Sequence, residues 1–570
     1  MKRLLALILT VVMVIPAMSG CSSYDPDENP GETINLYFSN EVYDFDPAYA
    51  YRSKEALELA RLMFIPLFSI NENGKLKNTS DDLVKKYTIV DDENKEIYRV
   101  TLELRETYWS DGTQVSANDI LYAWKRLLNP LTVSDAAVLL YEIKNAYDAK
   151  NGDCSVDDIG VYAIDKTTLQ IDFEESIDYK EFLYSLASPC LVPLRETIVS
   201  SNPDWSKSVS SIACSGPFTL REVTYGKSLT LERNSYYMRN RAKDSIKKYV
   251  TPYRLVIDFT KTADEQLDAF ENGDIEYLGY IPLESRSEYQ KKADVTDALS
   301  TLSCYFNVNN SLFADADTRK ALSLAIDREA IAEKLVFADA ATALVPNGVF
   351  EASKASSKDF RTVGGDYLAA TANTDEAKAL LKSTGSFNLT IYDSEINNAV
   401  AEMLKSAWES LGFKVNIVAL SYVANDDIAS GETKPSTEYY DDAYLEALRS
   451  GDFDVILADI SALDTDAFSM LATYAFGYTG RNMTFHVDYY EDPLNITGYN
   501  DEEYNEIISR AFAEKNVSSR SAILHEAEAK LMEDLPVMPI VFTKNAFLSN
   551  LKHLKTDYFG YNLFTDVKPK

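Results

Sequence analysis

Histidine is almost absent: His486, His525 and His553 are the 3 in 570 residues, and none stands at metal-ligand spacing from another. No G-x-S-x-G elbow, Walker phosphate loop, H-E-x-x-H or C-x-x-C occurs either, so the familiar hydrolase, nucleotide, zinc and dithiol signatures are all missing. Basic residues are scarce, with 56 Lys and Arg against 89 Asp and Glu and a net charge of −33. That field repels phosphate and anionic headgroups, which excludes nucleic acid as a partner and excludes adhesion to anionic lipid by charge alone. Acidity of this kind keeps an exported protein soluble. Of the 5 cysteines, Cys154, Cys190, Cys214 and Cys304 are widely separated. Outside a cell they allow one or two disulfides in three full connectivities, or else buried free thiols, and spacing does not choose.

Long hydrophobic runs are also missing beyond the first twenty residues, and the one present is short. Lys2 and Arg3 precede an apolar stretch from Leu4 to Ile15, too brief for a permanent bilayer helix but suited to a signal peptide. Ala17-Met18-Ser19-Gly20-Cys21 then resembles a bacterial lipoprotein box, in which Cys21 is acylated and becomes the new N-terminus. Two or three chains on one residue give durable anchoring. The expectation is a signal at 1–20, a tether at 21–32 rich in Pro, Gly and acid, and a protein working at the extracytoplasmic face of a membrane. Without Lys2 and Arg3 the basic residues number 54 against 89 acidic ones, a net charge of −35.

The mature chain is long enough for several lobes, and 37 Tyr, 25 Phe and 46% hydrophobic residues describe a folded protein. Thr33–Ser39 has a strand pattern, and Lys54–Leu67 reads as a helix ended by Pro66. Two alternating runs between Tyr87 and Leu104 flank Asp91–Asn94 and predict a hairpin. Ser116 and Asp119 box the start of a helix through Leu128. Asp315–Val336 reads as one amphipathic segment with Leu322, Ala325, Ile326, Ile331 and Leu335 facing inward. A helix over Asp375–Lys382, a strand over Phe387–Tyr392, a helix over Asn397–Leu411 ended by Gly412, and a strand over Phe413–Val418 follow. Alternation of this kind defines an α/β protein, whose ligands bind beyond the carboxyl ends of the strands.

Five blocks, in order, resemble the extracellular solute-binding proteins of peptide ABC importers, solute-binding family 5. They are Trp109-Ser-Asp111-Gly112-Thr leading to Asp119; Ser215-Gly-Pro-Phe218 with Leu231-Glu-Arg-Asn234; Phe306-Asn307-Val308 with Arg319-Lys-Ala-Leu322 and Ala325-Ile-Asp-Arg328; Glu376–Leu381; and Leu411–Val415. The resemblance spans most of 33–560. It implies a two-lobed periplasmic-binding-protein-like α/β fold, type II, with an extra subdomain. Lobe I would comprise 33–68, 190–300 and the tail 531–570, the subdomain 69–189 and lobe II 301–530, around a hinge suited to rigid-body closure.

The resemblance further implies a peptide ligand, permease subunits of an ABC transporter as partners, a membrane contact through the lipid only, a monomer, no cofactor and no catalytic group. The family's ammonium-binding Asp falls at Asp459, with Ile456 and Ile460 where the family has aromatics; Asp464 and Asp466 compete for the role. Main-chain pairing with the ligand is expected at Tyr51, Arg52 and Ser53 and, opposite them, at Val455, Ile456 and Leu457. Asn307 and Trp109 read as structural. The residues leave open a different solute such as an oligosaccharide or metal chelate, a surface hydrolase with paired carboxyls, and a signalling or adhesive lipoprotein.

Overall fold

The computed structural model describes residues 31–238, 246–351, 358–420, 422–424, 440–480 and 496–570. The run Leu4–Ile15, the lipobox with Cys21 and most of the tether lie outside the described residues. Among those described, no helix is long and apolar enough to cross a membrane.

Two 13-residue strands, Asp294–Phe306 and Val537–Ser549, organise the fold. They pair antiparallel along both their halves, Asp294–Asp297 with Lys544–Phe547 and Thr301–Tyr305 with Val537–Phe542. On one side Val537–Ser549 takes Tyr277–Leu278, and the sheet continues through Thr33–Tyr37, Arg254–Asp258, Ser228–Arg233 and Phe218–Thr224. On the other, Asp294–Phe306 takes Val455–Ser461, then Ser386–Tyr392 and Lys414–Leu420. Parallel pairings occur in both halves, with the helix Glu395–Ser410 linking the parallel strands Ser386–Tyr392 and Lys414–Leu420 as the α/β reading requires. A separate four-stranded antiparallel sheet, ordered Val84–Asp92, Ile97–Leu104, Thr168–Asp172, Val161–Asp165, contains the expected hairpin.

Local chemistry explains the blocks read from the sequence. In Trp109–Thr113 the Asp111 carboxylate accepts from the Thr113 N–H and hydroxyl (3.0 and 2.7 Å), and Gly112 has φ +84° where a Cβ would strike the Tyr236 ring at 2.8 Å. The Ser110 N–H donates to Cys214 O (2.8 Å), and the Gly216 N–H to Met63 O (2.8 Å), so two blocks brace each other and Trp109 is buried as packing. Asp119 receives the Ser116 N–H (2.7 Å) and hydroxyl (2.9 Å) at the head of the helix Ala117–Leu127. The helix expected to run to Leu67 is Lys54–Met63; it stops where Ile65 turns to donate to the Ser215 hydroxyl (3.1 Å).

The single segment expected over Asp315–Val336 is instead two helices, Ala316–Leu324 and Arg328–Leu335. All five inward residues are buried, so the apolar stripe continues through a break that the backbone does not share. Asp327 caps the second helix by accepting from the Ala330 N–H (2.9 Å). Arg328 is wholly buried and, among the described residues, has no carboxylate partner; its guanidinium donates to Pro539 O (2.8 Å), Ala369 O (2.9 Å), Ser323 O (3.2 Å) and the Ser323 hydroxyl (2.8 Å). The desolvation pushes its pKa down to about 9. The four later cysteines are free thiols, and burial raises Cys190 to about 12 and Cys214 to about 11. Replacing Arg328 by Met strands those acceptors in the core, and urea unfolding is expected to lose about 3 kcal/mol or more; a loss below about 1 kcal/mol would remove the clamp from the account.

Candidate ligand-binding cleft

Asp459 sits where the strand Val455–Ser461 leaves the core. Val455 to Ala458 are buried, whereas Asp459 is exposed to solvent. Its Oδ1 accepts from the Ser300 hydroxyl (3.3 Å). Ser300 belongs to a bulge on the long strand, where Ala298 to Ser300 stand against Thr543 alone, between the pairs Asp297–Lys544 and Thr301–Phe542. Leu299 at the centre of that bulge has φ +50°, a left-handed conformation costing a non-glycine residue roughly 1–2 kcal/mol. Its carbonyl accepts from the Ala462 N–H (2.9 Å), and Gly348 leaves room for its side chain, since a Cβ there would lie 2.4 Å from Leu299 Cδ2. The strand carrying Asp459 is thus bonded to the point where the long strand changes register.

Reached by solvent but set deep in the molecule, the Asp459 carboxyl has a pKa pushed up to about 6. Loss of bulk hydration is the main cause, the negative charge of Glu55 adds to it, and the Ser300 hydroxyl partly offsets both. Among the described residues no lysine or arginine acts on it. Glu55, in the first turn of Lys54–Met63, accepts from the Ser39 hydroxyl (2.5 Å) and the Asn40 amide (3.3 Å) at the end of the first strand. Two carboxylates from distant parts of the chain therefore act on one region. The same bulge borders a cavity of about 620 Å³, lined in part by Thr296, Asp297, Leu299, Gly348, Phe350 and Tyr558, which Asp459 does not line.

The competing acids are engaged elsewhere. Asp464 accepts from the hydroxyls of Ser185 (2.9 Å) and Ser469 (3.1 Å), and Asp466 is paired with Arg520 (2.7 Å). Asn307 bonds Gly451 O (3.2 Å) and Phe453 O (3.0 Å), the structural role expected of it.

The expected pairing segments change. Val455, Ile456 and Leu457 lie mid-sheet, opposite Phe306, Tyr305 and Cys304 on one side and Leu389, Thr390 and Ile391 on the other. With both edges occupied they offer no free backbone, which corrects the expectation. Ser386–Tyr392 does not pair beyond Leu457, so among the described residues the open edge runs from Ala458 to Ser461. Tyr51 and Arg52 belong to a 3₁₀ turn, Pro47–Arg52, and Ser53 is extended but caps the next helix by accepting from the Ala56 N–H (3.0 Å). That turn is fixed by Asp46, which accepts from the Ala48 N–H (3.0 Å) and holds Arg126 bidentately (3.1 and 2.5 Å). Arg52 is exposed, its guanidinium 4.6 Å from the Tyr49 ring, and the Tyr51 hydroxyl accepts from the Asp135 N–H (3.2 Å). Sequence reasoning missed Glu55 and Ser300, because neither stands near Asp459 in the chain. Among the described residues no group of three or more His, Cys, Asp or Glu is placed to hold a metal ion.

A family model described as bacterial extracellular solute-binding proteins, family 5 Middle, matches residues 80–482. The dipeptide-binding protein DppE of Bacillus subtilis is 26% identical over 563 residues, 94% of this chain and 93% of that protein. The oligopeptide-binding protein OppA of Bacillus subtilis is 25% identical over 578 residues, 96% and 95% of the two. Among solved structures, the substrate-binding domain of an oligopeptide ABC transporter from Bacillus anthracis superposes with a TM-score of 0.77 at 20% identity, covering 94% of this chain and 98% of that one. The fold is therefore that of the two-lobed solute-binding proteins.

Asp459 is expected to titrate near pH 6 in the ligand-free protein, carrying its charge above that pH and a proton below it. A difference infrared titration of wild type against Asp459→Asn reads this carboxyl directly, and Glu55→Gln should lower its midpoint. A midpoint in the ordinary carboxylate range near 4 would contradict the environment described.

Proposed function

We propose that this chain, which belongs to the bacterial extracellular solute-binding proteins of family 5, captures peptides in a cleft between two lobes and hands them to the permease of an ABC importer. The lobes are taken as 33–68, 190–300 and 531–570 for the first, 301–530 for the second, with 69–189 a subdomain on the first. Relatives matched along nearly their whole length are binding proteins for dipeptides and oligopeptides, and capture needs no catalytic group.

One observation carries the reading: Asp459 is a carboxylate deep in the molecule, open to solvent and, among the described residues, bonded by a single hydroxyl with no cation acting on it. Such a group is stabilised by an incoming cation, and a peptide's α-ammonium supplies one with three donors. Glu55 adds to the same negative potential. The open edge Ala458–Ser461 lies next to the ammonium position, and the peptide main chain pairs there, which leaves side-chain identity largely unread. Because the bulge at Ala298–Ser300 connects Asp459 to the strands crossing between the lobes, occupation of the site and the angle of the lobes are mechanically linked. The chain is anchored outside the cell through lipid on Cys21 and acts as a monomer.

Asp459→Asn removes the charge but not the shape. Free-amino tri- to pentapeptides are expected to lose roughly 1.5–3 kcal/mol, about 10- to 150-fold in affinity, while the weaker binding of their N-acetylated forms changes little. Calorimetric titration checks this; equal losses for both peptide forms would take the ammonium away from Asp459. Cys21→Ala is expected to shed the folded protein from membranes into the soluble fraction. A variant that stays membrane-bound and takes up labelled fatty acid would sink the lipid anchor.

A further inference from the structure

The helix Tyr179–Ser185 meets the segment after the Asp459 strand and the helix Val517–Asp534 at a buried cluster of acids that the binding site does not use. Arg520 is bonded at once to Glu181 and to Asp466, at 2.7 Å to the latter, and its guanidinium lies 5.1 Å from the Phe468 ring. Asp464 stands beside them, accepting from the hydroxyls of Ser185 and Ser469 and from the Asp466 N–H (3.1 Å). Arg520 and Glu181 side chains are 13% and 15% exposed, Asp466 2%, and Asp464 is buried, so these charges have little water to rely on. Two carboxyls thus share one guanidinium, and a third, Asp464, is bonded to the backbone of one of them. Around them, Asp178 and Glu514 line the same small cavity, and Lys515 is occupied with Glu175 (3.3 Å) and Glu142 (3.8 Å). Tyr558 feels the charge of Asp464.

Two uncompensated carboxylates in so dry a place cost more than neutralising one of them. Glu181 and Asp466 are both bonded to the same guanidinium nitrogen, Arg520 Nη1, which brings their carboxyls close together, and a proton on one relieves their repulsion. Glu181 and Ser185 come from one part of the molecule, Asp464, Asp466 and Arg520 from another, with Tyr147 against Tyr478 (ring centroids 5.2 Å) beside them. In the proposed division, this cluster joins the subdomain on lobe I to lobe II, on the seam that closes over a ligand.

We propose that Glu181, Asp464 and Asp466 retain a proton among them when the lobes are closed, making the cluster a proton-dependent latch that holds the ligand-bound state. The role as latch rests on the peptide-capture reading; the proton rests on the cluster alone. Burial raises Asp464 to about 7 and Glu181 well above its ordinary range, while Arg520 holds Asp466 low. Opening the seam rehydrates the acids and returns them to the ordinary range near 4. The closed state therefore binds the extra proton, its advantage is complete below pH 4, and it is lost as pH rises through about 7.

Small-angle scattering of the ligand-free protein from pH 5 to 8.5 tests the latch without any ligand. Wild type is expected to expand between pH 6 and 8. Glu181→Gln, which keeps the shape but carries neither charge nor titrating proton, stays compact, and Asp464→Asn shows a weakened transition. Trialanine titrations then compare Glu181→Gln with wild type: the affinity ratio should rise about tenfold from pH 6 to pH 8, a quotient from which the titration of Asp459 cancels. Superimposable scattering profiles for wild type and both variants would overturn the latch. A pH-dependent expansion in a protein that binds no peptide at any pH would instead keep the latch and discard peptide capture.

Discussion

Everything about this molecule depends on the antiparallel pairing of Asp294–Phe306 with Val537–Ser549. Each strand is long enough to serve the sheets on both sides, so the halves share one hydrogen-bonded ribbon. A ribbon of two strands twists and flexes more readily than a wide sheet. Its weak point is also marked, since three residues oppose one at Ala298–Ser300 and Leu299 is held in a left-handed conformation. The bulge is where the strand is bonded to Asp459 and Ala462. Strain, register change and the candidate ligand carboxylate thus meet at one place in the fold, an arrangement expected of a site whose occupation alters the relation of two lobes.

The molecule handles its excess of acid in three ways. Asp111 and Asp119 satisfy nearby turn and helix-start donors that the backbone would otherwise leave unpaired, and Asp111 also pairs with Arg195. Glu181 and Asp466 share a single Arg520 with Asp464 bonded beside them, and their mutual repulsion favours retention of a proton. Asp459 is treated differently again, with one hydroxyl, a neighbouring like charge and an open approach. The contrast among these environments, rather than the number of carboxylates, separates a candidate binding group from structural ones. Two buried guanidiniums show the mirror image: Arg328 and Arg319 donate to backbone carbonyls rather than to carboxylates.

Much of the architecture was legible because its signals are local. The Asp119 box, the Gly112 turn, the hairpin before Leu104 and the helix–Gly412–strand sequence all announce themselves within a few residues. What escaped was non-local or masked by a stronger pattern. An apolar stripe from Leu322 to Leu335 hid the break at Asp327, because burial continues where the helix does not. The resemblance set Val455–Leu457 against the ligand but could not say that both neighbours were already protein strands. Ser300 meets Asp459 across 159 residues, Glu55 acts on it from farther still, and Glu181 meets Arg520 across 339. No spacing rule reaches that far.

The measurement that tests the account most directly is native mass spectrometry of the protein purified from cells without its lipid. The account predicts species heavier than the bare chain by the masses of short peptides, sequenced by fragmentation and absent from Asp459→Asn. A bare chain that also ignores a mixed free-amino peptide library, or a co-purifying solute with no amino terminus, would contradict it.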